Sequence, residues 1–245
     1  MKIIEVHNYD QLSKKACEII EEQVMVKHDS VLGLATGSTP LGTYKELIAG
    51  YKEGRTDYRH VSTLNLDEYV GLGPQDPQSY RHFMNEQFFR SINVNLENTY
   101  IPNGKAVDLQ DECERYEKVI EQVGPPDLQL LGIGENGHIG FNEPGTPFQS
   151  ETHVVQLADS TRQANARFFQ SMEDVPTMAV TMGIRSILKS KKIVLLASGE
   201  RKAQAIDQLI NGYLDEQFPA SSLKEHSDIT LIVDEDAYAE VKRKG

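Results

Sequence analysis

Short, uninterrupted apolar runs alternate along the chain with longer stretches in which apolar positions recur every three or four residues. The runs predict strands over Lys2–Val6, Ser30–Ala35, Val61–Leu66, Leu128–Ile133, His153–Leu157, Lys192–Ala197 and Asp228–Val233. Three of them contain the near-continuous segments Val-Leu-Gly-Leu-Ala, Ile-Val-Leu-Leu-Ala and Ile-Thr-Leu-Ile-Val. A strand covered on both faces of a parallel sheet reads this way. The stretches between predict helices over Tyr9–Val26, Leu41–Ala49, Leu109–Val123 and Arg201–Leu214, each with a recurring apolar stripe such as Leu12, Cys17, Ile20 and Val24. Strands alternating with helices imply right-handed crossovers and an α/β fold: a Rossmann-like, doubly wound, mostly parallel sheet with helices on both faces. No repeat, low-complexity tract or linker interrupts the pattern, so one domain is expected over residues 1–245, with its ligand site beyond the carboxyl ends of the strands.

Charge narrows the partners. The formal net charge of -12 disfavours nucleic acid and anionic membrane surfaces, and it obliges any phosphate pocket to carry its own local positive potential. No apolar run is long enough to span a bilayer, and the first residues lack the apolar core of a signal peptide. Cys17 and Cys113 make no disulfide framework and read as packing residues. A cytoplasmic protein that binds a small molecule is the expectation.

The chemistry gathers where strands end. Val31–Ala35 runs into Thr36-Gly37-Ser38-Thr39-Pro40 ahead of a helix, and small residues at such a turn let backbone N–H groups converge on an anion. Thr39 is expected as the N-cap and Pro40 as the first helical residue. The turn lacks the Gly-Lys-Ser/Thr ending of a Walker A loop, and an ordinary capped turn is the competing reading. Arg167 and Lys202 are the cations best placed to complete a phosphate site, Lys202 because it too follows a strand end.

Val61–Leu66 ends in Asn65-Leu66-Asp67-Glu68-Tyr69, and one of the two acids could face the crevice as a general base, the competing role being a turn or cap. Leu130–Glu143 contains the pattern G-x-G-x-x-G at Gly132, Gly134 and Gly137. A dinucleotide fingerprint must open a helix, whereas here Pro144, Gly145 and Pro147 follow, so the glycines are read as letting a loop press its backbone against a small ligand. That loop offers Asn136, His138 and Glu143; His138 can shuttle a proton between oxygens, the competing role being a satisfied structural histidine. No His-Glu-x-x-His, close His pair or Cys cluster points to a metal.

Together, Leu-Gly-Leu-Ala-Thr-Gly-Ser-Thr-Pro, Asn-Leu-Asp-Glu-Tyr, Gly-Glu-Asn-Gly-His-Ile-Gly-Phe-Asn-Glu-Pro-Gly and Thr-Arg-Gln-Ala-Asn-Ala-Arg-Phe-Phe resemble the glucosamine-6-phosphate deaminase family over nearly the whole chain. The resemblance implies cofactor-free conversion of glucosamine 6-phosphate and water to fructose 6-phosphate and ammonia. It implies that Asp67 moves the proton from C2 to C1, that His138 moves a proton between the ring oxygen and the anomeric hydroxyl, and that Glu143 supports His138. It places the phosphate on Gly37, Ser38, Thr39, Arg167 and Lys202, and implies a mobile lid around Arg167.

Many members carry aspartate where this chain has Asn136, which can orient the imidazole but adds no charge. Members activated by N-acetylglucosamine 6-phosphate carry an Arg and a Lys where this chain has His153 and Val155, and a longer C-terminal tail. The expectation is therefore no such allostery and a monomer or small homo-oligomer. The competing enzyme is a 6-phosphogluconolactonase-like hydrolase, against which the Asn-Leu-Asp-Glu-Tyr segment speaks. A sugar-phosphate sensor is the competing reading from another class.

Overall fold

The computed structural model describes residues 1–244. Along the chain, β1 (Lys2–Val6), α1 (Tyr9–Val26), β2 (Val31–Leu34), α2 (Leu41–Lys52), β3 (Ser62–Asn65), β4 (Asp67–Tyr69) and α3 (Tyr80–Gln87) lead to β5 (Thr99–Tyr100), α4 (Leu109–Val123) and β6 (Leu128–Gly132). Then follow β7 (His153–Gln156), α5 (Asp159–Asn165), β8 (Met178–Thr181), α6 (Ile184–Leu188), β9 (Ile193–Ala197), α7 (Ala203–Asn211), β10 (Ile229–Asp234) and α8 (Glu235–Lys244).

Seven strands form one parallel sheet in the order β1-β10-β9-β6-β2-β3-β5. The apolar runs explain it, because successive side chains point to opposite faces. In β9, Ile193, Leu195 and Ala197 join the core on one face, while Val194 and Leu196 join the other. The first face is covered by Tyr116 and Ile120 of α4, Ile206 and Leu209 of α7 and Ala237 of α8. The second is covered by Leu12, Ala16 and Ile20 of α1 and by Tyr44 and Leu47 of α2. Each large aliphatic side chain fully buried in this way contributes about 1.5–3 kcal/mol relative to exposure. This is the doubly wound α/β arrangement that the alternating pattern predicts. The chain order reverses between β2 and β6, which opens a crevice at their carboxyl ends.

Two sequence expectations need correction. The strand around His153–Leu157 does not join the parallel sheet. As β7 it pairs antiparallel with β8, which pairs antiparallel with β4, in a separate three-stranded sheet. Its residues are half-buried or exposed where the parallel strands β2, β9 and β10 are buried throughout, so it could not have occupied the middle of the large sheet. Thr39 is also not the N-cap of α2: Pro40 holds that position without a capping side chain. Tyr9 of α1 substitutes, since its hydroxyl donates to the carbonyls of Ser38 and Thr39 and accepts from the Gly42 N–H at 2.8 Å. Among the described residues, no helix is long and apolar enough to cross a membrane.

Candidate active site

A cavity of about 790 Å³ lies over the carboxyl ends of β2, β3, β6 and β9. Its lining includes Gly37, Ser38, Thr39, Asp67, Asn136, His138, Arg167 and Lys202. Of the nine site residues predicted from sequence, these eight line the cavity. The ninth, Glu143, stands behind His138.

Asp67 sits where the chain leaves one sheet for the other. Asn65 ends β3, and its carbonyl accepts the Tyr116 hydroxyl at 2.6 Å, while the Leu66 carbonyl accepts the Met182 N–H at 2.6 Å. The next residue begins β4, so Asp67 is fixed on both sides by sheet hydrogen bonds. The residue is 6% exposed. Burial pushes its carboxyl up to about 8, with the Glu68 charge adding to the effect, and no hydrogen-bond donor among the described residues opposes it.

Glu68 has the other fate. It accepts N–H bonds from Tyr69, Tyr80 and Arg81, each at 2.9 Å, and so fixes the start of α3. Burial still raises it to about 7 against those three donors. Of the two acids that the sequence left open, Asp67 faces the cavity and Glu68 serves the backbone. Tyr80, which the sequence analysis did not single out, lines the cavity beside Asp67 and shares a 3.2 Å hydrogen bond with the Tyr69 hydroxyl. Nothing in its local sequence marks it, because its position depends on α3 folding back over β4.

The loop after β6 opens no helix, as expected from its prolines. Gly134 is there because of His138: a Cβ at Gly134 would stand 2.4 Å from the imidazole. The loop is tied down where the Ala220 N–H donates to the Gly137 carbonyl at 2.8 Å and the Phe141 N–H to the Thr181 hydroxyl at 3.1 Å. Asn142 closes it by donating to the carbonyls of Ile139 and Met182.

His138 Nδ1 lies 3.7 Å from Glu143 Oε2. Asn136 makes no hydrogen bond to the imidazole. It donates to Glu143 Oε2 at 2.9 Å and accepts the His138 backbone N–H at 3.2 Å, so it orients His138 through its main chain and its carboxylate partner. Burial lowers the His138 pKa; Glu143 and Glu135 act to raise it and Lys202 to lower it further. The imidazole is therefore held toward its neutral form, in which one ring nitrogen donates and the other accepts.

The opposite end of the cavity is cationic. Gly37 takes a left-handed backbone, φ 95°, that a side chain would strain, and it turns the chain into Ser38 and Thr39. The Tyr44 hydroxyl holds the Ala35 carbonyl at 2.5 Å just before that turn. Arg167 reaches across from the 166–168 turn and donates to Ser38 Oγ at 2.9 Å, with its guanidinium stacked 4.8 Å over the Phe168 ring. Lys202 follows β9, and its pKa is lowered by burial. Asp234 positions that segment, accepting Ser198 Oγ at 2.5 Å and the Gly199 N–H at 3.0 Å. This end can hold a dianion, and the other end offers a carboxyl and a neutral imidazole to a short polar chain. Among the described residues, no three His, Cys, Asp or Glu side chains gather as metal ligands.

Comparison with known proteins bears on this geometry. Residues 6–232 match the family described as glucosamine-6-phosphate isomerases/6-phosphogluconolactonase. The chain is 56% identical to a glucosamine-6-phosphate deaminase of Geobacillus sp. (strain WCH70), over 100% of this chain and 98% of that protein. A solved monomeric glucosamine-6-phosphate deaminase superposes with a TM-score of 0.97 at 50% identity, over 98% of this chain and 100% of that one. The 6-phosphogluconolactonase of Thermotoga maritima shares the fold, with a TM-score of 0.75 at 20% identity over 96% of this chain and 99% of that one. Matched at full length by deaminases at half or more of its positions, the chain belongs to the glucosamine-6-phosphate deaminase family.

Proposed function

We propose that this cavity converts glucosamine 6-phosphate and water to fructose 6-phosphate and ammonia, with Asp67 as the C2–C1 proton carrier. The observation that carries this reading is Asp67 itself: a buried carboxyl at a strand end, held apart from the hydrogen bonds that occupy Glu68. The phosphate rests on the Gly37–Thr39 turn, Arg167 and Lys202. Its binding energy, realised far from the reacting carbons, orients C1 and C2.

His138 takes the proton of the anomeric hydroxyl and delivers it to the ring oxygen, opening the ring to the aldehyde. Asp67 removes the C2 proton as O1 takes up a proton, which gives a C1=C2 enolamine. It then returns a proton to C1, leaving an imine at C2. Water adds to that carbon, and ammonia departs with the C–N bond electrons after protonation. Every atom of substrate and water is thereby accounted for in the products.

A carboxyl raised to about 8 is mostly protonated at neutral pH, yet a base must be ionised. The substrate supplies the remedy, because a 2-ammonium group beside Asp67 favours the carboxylate. The base-side requirement is therefore expected at lower pH in kcat than in kcat/KM. The segment 159–168 serves in this reading as the mobile lid. The chain acts as a monomer or small homo-oligomer, since one chain supplies every residue named.

The test uses purified protein and glucosamine 6-phosphate in D2O, without added metal or nucleotide. Equimolar ammonia and fructose 6-phosphate are expected, with protium from C2 carried at least in part to C1 and deuterium there marking the fraction that Asp67 exchanged with solvent. Absence of ammonia release would overturn the assignment.

A further inference from the structure

Thr161 is not needed by the scheme above, yet it is 3% exposed and lines the cavity. It is the one buried residue of α5. Its hydroxyl lies 3.5 Å from His138 Nδ1. One turn earlier, the Ala158 N–H donates to Glu143 Oε1 at 3.3 Å. The amino end of α5 therefore touches both members of the His138–Glu143 pair. The other end of the same segment carries Arg167, which reaches Ser38 at 2.9 Å. Ten residues of chain thus span the cavity from the acid–base group to the phosphate turn.

We propose that Thr161 is a positioning residue that couples occupancy of the phosphate end to the tautomer of His138. The inference rests on the assignment of His138 as the proton shuttle. At Nδ1 two oxygens compete, the Glu143 carboxylate at 3.7 Å and the Thr161 hydroxyl at 3.5 Å. Both contacts lie at or beyond the limit of a good hydrogen bond, so a small shift of α5 decides which oxygen holds Nδ1. An anion gripped by Arg167 draws the segment inward and brings Thr161 onto Nδ1. A proton then held at Nδ1 by both oxygens leaves Nε2, across the ring, as the free base for the anomeric hydroxyl. The other charged groups acting on the imidazole are Glu143, Glu135 and Lys202, and none of them lies on α5. A through-space effect of the anion on those charges moves the imidazole's titration. The tautomer of its neutral form is set by the partner at Nδ1.

The test reads ring 15N shifts of His138 in the full chain, with and without inorganic phosphate, at a pH where the imidazole is neutral. In the wild type, phosphate is expected to enrich the Nδ1–H tautomer. Thr161→Val keeps the shape and removes the hydroxyl, and Thr161→Ser restores the hydroxyl. Val is expected to lose the response while its phosphate affinity stays within about threefold, and Ser to keep it. With glucosamine 6-phosphate, Val is expected to lower kcat about tenfold with KM little changed. A response retained in Val, one lost equally in Ser, or loss of phosphate binding in Val would overturn the coupling. Because the tautomer is read with phosphate alone, failure of the deaminase assignment shows separately, as absent turnover in the wild type.

Discussion

The two walls of the cavity are built on opposite terms. The wall carrying Asp67 is pinned by Tyr116, Met182 and the three N–H groups on Glu68, and its backbone belongs to a sheet on each side. The wall carrying Thr161 and Arg167 is a seven-residue helix without a capping side chain, continued by a short 3₁₀ turn. Its middle is held by Arg162, which donates to the carbonyls of Met172 and Val175, and its contacts with the His138 pair are long. A helix this short has little stability of its own and depends on what it docks against. Proton transfer at carbon needs a dry carboxyl at a fixed distance, and the sheet supplies that. In the proposed reaction the phosphate has to enter before it is gripped, and a wall this weakly held is the one that can yield to it.

The largest effect expected comes from the rigid wall. Asp67→Asn should lower turnover about a thousandfold or more, within the range general acid–base catalysis supplies. The same variant should be more stable, and the sign follows from linkage. The folded carboxyl titrates at about 8 instead of 3.8, so between those values the folded chain holds a proton that the unfolded chain has lost. Stability therefore falls as pH rises across that window, by on the order of a few kcal/mol. The amide does not titrate. Thermal unfolding of the two proteins should diverge progressively between about pH 4 and pH 8, with the variant higher at alkaline pH. Equal melting curves would mean that Asp67 is less dry than its burial indicates.

The second effect belongs to the wall carrying Arg167. Arg167→Ala removes a charged donor aimed at the phosphate, an interaction of about 1.5–3 kcal/mol. KM should rise on the order of tenfold to a hundredfold, with the stability profile of the Asp67 wall unchanged. If kcat fell as far as kcat/KM with KM constant, Arg167 would act only in the transition state and the contrast between the walls would blur.

How much of this was legible in the sequence follows the same division. Continuous apolar runs place the parallel strands within a residue or two, because burial on both faces leaves no room for polar residues. The short strands β4 and β5 carry too few residues for a period to register, β8 goes unread although it is as long as β2, and β7 reads as a strand without revealing its sheet. Asp67 and His138 stand out because polar residues at the ends of buried strands are conspicuous. Their division of labour with Glu68 and Asn136 does not, since it depends on which backbone N–H groups the fold brings near. Thr161 lies inside a quoted motif, but only tertiary contact sets it apart from its neighbours. The Tyr9 hydroxyl in the role expected of Thr39 is a similar case, with about thirty residues of chain between donor and turn.

The smallest effect tests the joint between the walls. Asn136 donates to Glu143 and accepts from the His138 backbone, so both of its amide atoms are engaged. Asn136→Asp would replace the donor with an oxygen facing the Glu143 carboxylate at 2.9 Å. Two carboxylates cannot both stay ionised at that separation without cost, so Glu143 should either share a proton with Asp or swing toward His138. A shared proton leaves the pair at the single negative charge it carries now; the swing brings a full carboxylate onto the imidazole and favours its cationic form, against the burial that now keeps it neutral. A shuttle that must begin neutral then loses its free form at higher pH. The acid limb of kcat should move upward, costing about threefold at about pH 6 and little at pH 8, with KM for the phosphate-bearing substrate unchanged. An acid limb that stayed in place would mean that the two carboxyls share a proton, so that position 136 serves as a strut for Glu143 and adds no charge that tunes His138.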